Sequence, residues 1–218
     1  MRSPEPWLSL CLVRRIATRT CMSSIIAAIL TATVTFAATN IDDIFVLALL
    51  FSQTSRGLRT AHIVAGQYLG FSALVLISLV GFFGGHMLPR PWVGFLGIVP
   101  ILVGVHRCVR RHDPPVHTKA SGTASVATVA AVTFANGGDN IGVYTPLFAS
   151  SDAARLVVTL ITFYLLLALW CFVGCGVPRH PVVGRALSHY GHIVVPFVLV
   201  ALGFYIMSES GTFKLLRL

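Results

Sequence analysis

Thr39-Asn40-Ile41-Asp42-Asp43 and Asn136-Gly137-Gly138-Asp139-Asn140 are two polar stretches that each interrupt a long run of apolar residues. The 218-residue chain has only seven Asp and Glu, and Asp42, Asp43 and Asp139 all lie inside these runs. A carboxylate at bilayer depth costs about 2.5–3.5 kcal/mol by insertion scales. Each of the three therefore needs a compensating partner, and the simplest partners are a bound cation and a proton.

The composition indicates an all-α integral membrane protein. Hydrophobic residues make up 56% of the chain and charged residues 11%, against about 25% charged in soluble domains. Six apolar segments can each supply the roughly 20 residues that cross a bilayer, namely residues 23–52, 61–86, 92–109, 123–150, 154–176 and 190–208. The net charge of +9 comes from Lys and Arg in loops and tails, which favours lipid headgroups rather than nucleic acid as the partner.

The two polar stretches belong to an internal repeat. Aligning Asp42-Asp43-Ile44 with Asp139-Asn140-Ile141 also pairs Phe51 with Phe148, and residues 34–37 match residues 132–135 after a one-residue shift. Three spans per copy is an odd number, so the second copy must enter the membrane from the opposite side. The sequence therefore predicts six transmembrane helices arranged as two inverted three-helix repeats.

This repeat sets the predicted organisation of the chain. A basic N-terminal tail covers residues 1–22, the first repeat residues 23–109, a polar linker residues 110–122, the second repeat residues 123–209 and a C-terminal tail residues 210–218. The basic residues divide evenly between the two sides of the membrane. Without the first 21 residues they favour a cytoplasmic linker, so the orientation stays open.

The first and fourth spans are longer than the membrane requires. At 1.5 Å per residue they exceed the roughly 30 Å hydrocarbon core, so we expect them to be tilted or broken. Gly137-Gly138 weakens the fourth helix, and Pro146 removes a backbone donor further on. Unwound backbone at this depth is tolerated where it lines a cavity or binds something.

Helical spacing places the polar side chains of each stretch on one face. Thr39, Asp42 and Asp43 group in the first copy, with Asn40 as an alternative partner of Asp43, and Asn136, Asp139 and Asn140 group in the second. Their oxygens suit a hard or borderline divalent cation. No Lys or Arg lies in the same two runs, so a metal ion, a proton or a diffusible cation must supply the positive charge that balances the carboxylates. Purely structural hydrogen bonds between helices are the alternative.

The same residues carry a family resemblance. Residues 40–47, Phe51-Ser52-Gln53, Gly66-Gln67-Tyr68-Leu69-Gly70 and residues 136–148 resemble the cadmium-resistance transporter (CadD-like) family of the lysine-exporter superfamily. The resemblance covers about residues 22–210. It implies a multi-pass protein of the bacterial cytoplasmic (inner) membrane that exports divalent heavy-metal cations, chiefly cadmium. It also implies that the metal is bound by Asn40, Asp42, Asp43, Asn136, Asp139 and Asn140.

Secondary candidates have both a functional and a plain interpretation. Cadmium prefers thiolate, and Cys171 and Cys175 lie four residues apart on the fifth helix, although buried cysteines usually only pack. Thr39, Gln67, Tyr68, Tyr144 and Thr145 could line the pathway or satisfy hydrogen bonds between helices. The imidazoles of His106, His112 and His117 near the linker could collect metal or be solvated.

The resulting expectation is a transporter that exchanges a divalent metal for protons at its carboxylates, with the metal as substrate and with no cofactor. No nucleophile with a base, phosphate-cradling loop, haem motif or zinc motif is visible, so we do not expect an enzyme. Association of two copies of the chain as a homodimer is one further expectation about its partners. The alternatives are export of manganese, zinc, calcium, an organic cation or an amino acid, or a non-transporting membrane subunit. Duplication of the acidic motif favours transport, because alternating access uses two inverted copies directly.

Overall fold

The computed structural model describes the backbone of residues 6–52, 59–109, 126–176 and 181–212, with side chains from residue 22 in the first range and from residue 195 in the last. Every regular element in these ranges is helical. The helices are α1 (Pro6–Asn40), α2 (Asp43–Ser52), α3 (Thr60–Met87), α4 (Arg90–Val93), α5 (Ile98–Val109), α6 (Val126–Asn136), α7 (Gly138–Ser150), α8 (Ala153–Gly176) and α9 (Pro181–Glu209). A 3₁₀ turn, Gly94–Gly97, joins α4 to α5.

The helices have the length and surface of a membrane protein. In the described ranges, three segments are long and apolar enough to cross a bilayer: Met22–Asn40, Thr60–Met87 and Ala153–Gly176. Asp43–Ser52, Gly94–His106, Val126–Asn136 and Val195–Glu209 are shorter apolar helices. Large apolar side chains such as Leu76 and Phe172 point outward, as expected for contact with lipid. The prediction of an all-α membrane protein is confirmed.

The first and fourth predicted spans are interrupted inside the two polar stretches. The sequence predicts tilted or broken helices for both spans and locates a break only in the fourth, at Gly137-Gly138. The first span divides into α1 and α2 at Ile41 and Asp42, and the fourth divides into α6 and α7 at Gly137. Pro146 lies within α7, which continues through it to Ser150. The predicted linker, including His112 and His117, lies outside the described residues. Upstream, the helix that contains the first span already begins at Pro6.

The two glycines at the second break differ in their surroundings. A Cβ on Gly137 would lie 2.2 Å from Cδ1 of Leu74 in α3, whereas a Cβ on Gly138 would meet nothing within 4 Å. The backbone of Gly137 has φ −88° and ψ 20°, which other residues also adopt. A side chain at Gly137 would therefore have to displace the end of the Leu74 side chain, whereas the backbone dihedral angles would accept it.

Helix α3 packs against both α6 and α7 through a row of glycines, which we call the α3 glycine row: Gly66, Gly70, Gly81 and Gly85. A Cβ on these residues would lie 2.8, 2.6, 2.3 and 2.4 Å from the carbonyl oxygens of Val126, Ala130, Thr145 and Ala149, respectively. The residue numbers rise together on both sides, so α3 runs in the same direction as α6 and α7. Helix α3 is therefore in backbone-to-backbone contact with α6 and with α7.

Two further pairings complete the architecture. Helices α1 and α2 pack along α8 in the same direction, with Phe36 against Phe163 and Leu47 against Gly174. Helices α5 and α9 run in opposite directions, because Gly97 meets Gly203 while Gly104 meets Pro196. All three pairings join a helix from residues 23–109 to a helix from residues 123–209.

An aromatic cluster fills the centre of the molecule next to the two breaks. It consists of five fully buried rings, whose neighbouring centroids are 4.7–6.2 Å apart: Phe36, Phe71, Tyr144, Phe148 and Phe163. Tyr144 is the polar member of this cluster, and its hydroxyl points to the first break. The cluster therefore supports the polar residues at the breaks from one side.

Candidate functional site

The two polar stretches meet through a pair of reciprocal contacts. Asn136 donates a hydrogen bond from Nδ2 to Oδ1 of Asp43. Asn140 donates from Nδ2 to Oδ1 of Asn40 over 3.2 Å. The structure thus brings four of the six predicted metal-binding residues into direct contact across the two halves of the chain.

These two contacts occupy equivalent places in the repeat. Asn40 is the last residue of α1 and Asn136 is the last residue of α6. Asp43 begins α2, and Asn140, which aligns with it in the repeat, lies in the first turn of α7. In each contact the asparagine that ends one half-helix bonds the residue that follows the break in the other copy.

Asn40 makes several hydrogen bonds at the site. Its side chain is fully buried, and Nδ2 lies 2.9 Å from the carbonyl oxygen of Phe36, 2.8 Å from Oγ1 of Thr39 and 2.7 Å from the hydroxyl of Tyr144. The Thr39 hydroxyl also lies 2.9 Å from the Tyr144 hydroxyl. Thr39 and Tyr144 therefore belong to the site as neighbours of Asn40.

The indole of Trp170 donates a hydrogen bond to the end of α1 at the first break. The carbonyl groups in the last turn of a helix lack partners within the helix, and in an apolar setting each needs another donor. Trp170 on α8 donates from Nε1 to the carbonyl oxygen of Asn40 over 2.7 Å. Sequence reasoning missed this residue. Its signal was an indole donor within an apolar span, since such a donor usually finds a partner when buried.

The three carboxylates lie at the starts of the two second half-helices. Asp43 occupies the first turn of α2 and Asp139 the first turn of α7, while Asp42 directly precedes α2. Asp43 is 4% exposed, and Asp42 and Asp139 are half-buried. The positive ends of the helix dipoles favour negative charge at these positions. Backbone geometry therefore offsets part of the cost of placing carboxylates between apolar helices.

The donor set at the site is dominated by oxygen. Among the described residues, no group of three or more His, Cys, Asp and Glu side chains is close enough to hold a metal ion. A cation at the breaks would therefore depend on carboxylates together with amide and hydroxyl oxygens. Asn140 offers one such oxygen, because its buried Oδ1 accepts no hydrogen bond from any described residue.

The secondary candidates lie in several places. Gln67 is buried on α3 and accepts a hydrogen bond of 2.6 Å from Thr133, which lies one turn before Asn136. Tyr68 stacks on Tyr164, with ring centroids 6.1 Å apart.

The two cysteines of α8 are packed among apolar groups. Cys171 is buried, and Cys175 packs against a small apolar cluster formed by Leu47, Phe51, Ile63 and Val129. His106 lies exposed on α5.

Helices with apolar outer faces and a buried polar centre at two interrupted helices define an all-α membrane protein with an internal polar site. The chain belongs to the cadmium resistance transporter family, whose profile matches residues 36–218. The resemblance of the two polar stretches to this family is thereby confirmed. Comparisons with curated proteins and with solved structures found no match. Membership of a transporter family implies a membrane setting and a metal ion as substrate.

Proposed function

We propose that this protein exports a divalent heavy-metal cation, with cadmium as the first candidate, from a site at the two helix breaks. The observation that carries this proposal is the reciprocal pair of contacts, Asn136 with Asp43 and Asn140 with Asn40. These contacts join the two copies of one acidic motif at interrupted helices. Transporters built from inverted repeats bind their substrates in such places.

The proposal includes six spans in two inverted repeats, and the helix pairings support it. Exchanging the two halves of the chain converts the packing of α3 on α6 and α7 into the packing of α8 on α1 and α2. It converts the pairing of α5 with α9 into itself. At that last contact, a Cβ on Gly97 would meet the carbonyl oxygen of Gly203 at 2.6 Å, and a Cβ on Gly203 would meet that of Gly97 at 2.3 Å. A two-fold axis in the membrane plane accounts for this reciprocity.

In this proposal Asp42, Asp43 and Asp139 supply negative charge around the cation, and Asn40, Asn136 and Asn140 supply amide oxygens. The three carboxylates are not close enough in the described structure to hold a metal ion together, so binding would have to draw them closer. The hydrogen bond from Asn136 to Asp43 would have to open, since the cation and the amide compete for the same carboxylate oxygens. Oxygen ligands bind a soft metal such as cadmium weakly. Weak binding suits a transporter, because the cation must also be released.

Proton exchange is the proposed driving reaction. Carboxylates that lose their cation within an apolar protein favour the protonated form, so arrival of a metal would release protons and departure would take them up. Uptake of cadmium into everted membrane vesicles should then depend on an imposed pH gradient. If uptake does not change with the pH gradient, proton coupling is ruled out, but the proposal of metal export still stands.

The cargo can be tested in cells. A metal-sensitive bacterial host should accumulate less cadmium when it expresses this chain, and the Asp139→Asn variant should lose the effect. Asp152→Asn is the matched control, because Asp152 is a carboxylate on the exposed connection between α7 and α8, outside the site. Manganese, zinc and calcium would be measured in parallel.

The outcomes separate the alternatives. An effect confined to zinc, manganese or calcium would keep the site and change the cargo. No effect of any chain on any metal, with expression in the bacterial cytoplasmic membrane verified, would overturn the proposal in favour of an organic cation or amino acid as cargo, or of a non-transporting subunit.

A further inference from the structure

A small half-open cavity of about 20 Å³, roughly enough for one water molecule, lies between four helices on the side where α7 ends and α8 begins. It is formed by α1, the last turn of α7, the first turns of α8 and the last turns of α9. Its wall is rich in hydroxyl groups, which come from Thr31, Ser150, Ser151, Thr159 and Tyr205.

An ion pair lies at this cavity. Arg155 of α8 donates from Nη1 to Oε1 of Glu209 of α9, and both side chains are about one third exposed. The Tyr205 hydroxyl interacts with the side chains of Glu209 and Thr31, which extends the network to α1. The ion pair and the Tyr205 hydroxyl therefore tie α1, α8 and α9 together at the cavity.

A line of threonines connects the cavity with the site at the helix breaks. Thr31 lines the cavity, Thr35 lies one turn further along α1, and Thr39 lies one turn further again beside Asn40 and Tyr144. Four residues of α-helix rise about 6 Å, so the whole line is about 12 Å long. The three side chains lie on one face of α1 because of this spacing.

Thr35 is the unusual member of the line. Its side chain is fully buried, and Oγ1 makes no hydrogen bond to any described residue. A buried threonine on a helix commonly donates to the carbonyl four residues earlier, as Thr39 does to Thr35 over 3.0 Å. A buried hydroxyl without a partner is costly and calls for an explanation. A group that passes along the line in another state would supply the missing partner.

We propose that Thr31, Thr35 and Thr39 line the route by which the cation passes between the site and this cavity, and that the Arg155–Glu209 pair is the gate that closes the route. This inference rests on the function proposed above. The hydroxyl oxygens would replace part of the hydration shell of the cation. With the pair closed, the guanidinium opposes a cation, and with the pair open, the Glu209 carboxylate attracts one.

Accessibility of an introduced thiol tests the gate without any need for transport. In the full chain with its five native cysteines replaced by serine, Thr35→Cys is exposed to a small, positively charged methanethiosulfonate reagent in vesicles of each orientation. We expect slow modification with the gate intact. Adding Glu209→Gln should raise the rate about fivefold, as expected for loss of a partly exposed ion pair, and only from the side of the cavity. The charge-reversed pair Arg155→Glu with Glu209→Arg should restore slow modification.

Two controls accompany this measurement. Asp152→Asn removes a second carboxylate, 3.8 Å from Arg155, without touching the link from α8 to α9, so the rate should not change. Val34→Cys lies next to Thr35 but on an outer face of α1, where a charged reagent should not reach it in any variant. Equal modification of Thr35→Cys with and without the Glu209 change, or modification from the opposite side alone, would overturn the gate.

The route itself is tested at Thr35 by two substitutions of similar size. Thr35→Val removes the buried hydroxyl, so it should raise the thermal stability of the purified protein while it slows metal transport. Thr35→Ser keeps the hydroxyl and should transport normally. A slower Thr35→Ser together with a normal Thr35→Val would overturn the route, because a packing role depends on the methyl group. If Glu209→Gln changes the labelling rate but the protein transports no metal, the gate is supported and the proposed cargo is overturned. Failure of the gate and failure of the proposed function are therefore distinguishable.

Discussion

The two helix breaks have the same plan but different chemistry. At the first break, a two-residue turn with a carboxylate joins α1 to α2, and an indole from α8 donates to the buried carbonyl of Asn40. At the second break, Gly137 alone separates α6 from α7 and packs against Leu74 of α3. Asp43 follows the first break where Asn140 follows the second.

The comparison shows that the two halves share the geometry of the break but differ in the charge that they place there. The reciprocal contacts preserve the geometry of the repeat, because an asparagine ends the half-helix before each break. The charge is unequal, with two carboxylates beside the first break and one beside the second. One half therefore supplies most of the negative charge, and the other contributes more amide groups.

The largest expected effect comes from removing the charge that distinguishes the two breaks. Asp43→Asn keeps an oxygen that accepts the hydrogen bond from Asn136, so the fold should persist. Metal transport should fall about 10–100-fold, as expected for losing a charged ligand worth about 1.5–3 kcal/mol. The measurement is the initial rate of cadmium uptake into everted vesicles.

The matched variant places the charge in the other half. Asp43→Asn combined with Asn140→Asp exchanges the two residue types at equivalent positions, and it should recover part of the lost rate if either half can carry the charge. A wild-type rate for Asp43→Asn alone would show that the difference in charge between the breaks has no role in transport.

The second prediction compares the two asparagines that end the half-helices. Asn40→Ala removes a fully buried hub and should cost about 3 kcal/mol of stability, whereas Asn136→Ala removes a half-buried residue and should cost about 1 kcal/mol. The measurement is thermal or denaturant unfolding of both variants in the same detergent. Equal losses would mean that Thr39 and Tyr144 hold the first break without Asn40.

The third prediction concerns the glycines of the second break. Gly137→Ala places a methyl group 2.2 Å from Leu74 and should destabilise the protein by about 1–3 kcal/mol, as overpacking does. Gly138→Ala meets nothing within 4 Å and should be neutral or slightly stabilising. Melting temperatures measured side by side check both. Full stability of Gly137→Ala would mean that α3 moves away from the break at little cost.

The smallest effect is expected at the indole of the first break. Trp170→Phe keeps a ring beside Phe36, whose centroid lies 5.3 Å from that of Trp170, but removes the hydrogen bond to the Asn40 carbonyl. We expect a loss of about 0.5–1.5 kcal/mol and faster amide exchange at the end of α1, with no change at the end of α6. Mass-spectrometric hydrogen exchange measures both ends in one experiment, and a uniform change at both breaks would contradict the assignment.

Much of this architecture was predictable from particular residues. The carboxylates inside apolar runs indicated a polar site within the membrane. The excess length of the first and fourth spans predicted that these helices are tilted or broken, and Gly137-Gly138 located the break in the fourth. The internal repeat predicted that the two polar stretches would be brought together, and two hydrogen bonds join them. Each of these signals is read from short stretches of sequence, without knowledge of contacts between distant helices.

The remaining features depend on contacts between distant helices. Nothing near Trp170 in the sequence indicates that its indole reaches Asn40, which lies 130 residues earlier. The Arg155–Glu209 pair likewise joins residues 54 apart. That the Thr35 hydroxyl has no partner among the described residues is visible only once its surroundings are known. The metal-binding roles of the six polar residues remain predictions, as do the division of the chain into repeats, linker and tails and the association of two copies.

The α3 glycine row bears on which parts of the molecule could move as rigid bodies. Close backbone contact at four glycines leaves little room for side chains to repack there, so α3, α6 and α7 should move together although they come from different halves of the chain. The rigid bodies that move in a transport cycle would then each combine helices from both sequence repeats. The Gly97–Gly203 contact would be the pivot between them. Spin labels on the outer faces of α3 and α7 should keep a constant separation with and without metal, while labels on α3 and α8 should change theirs.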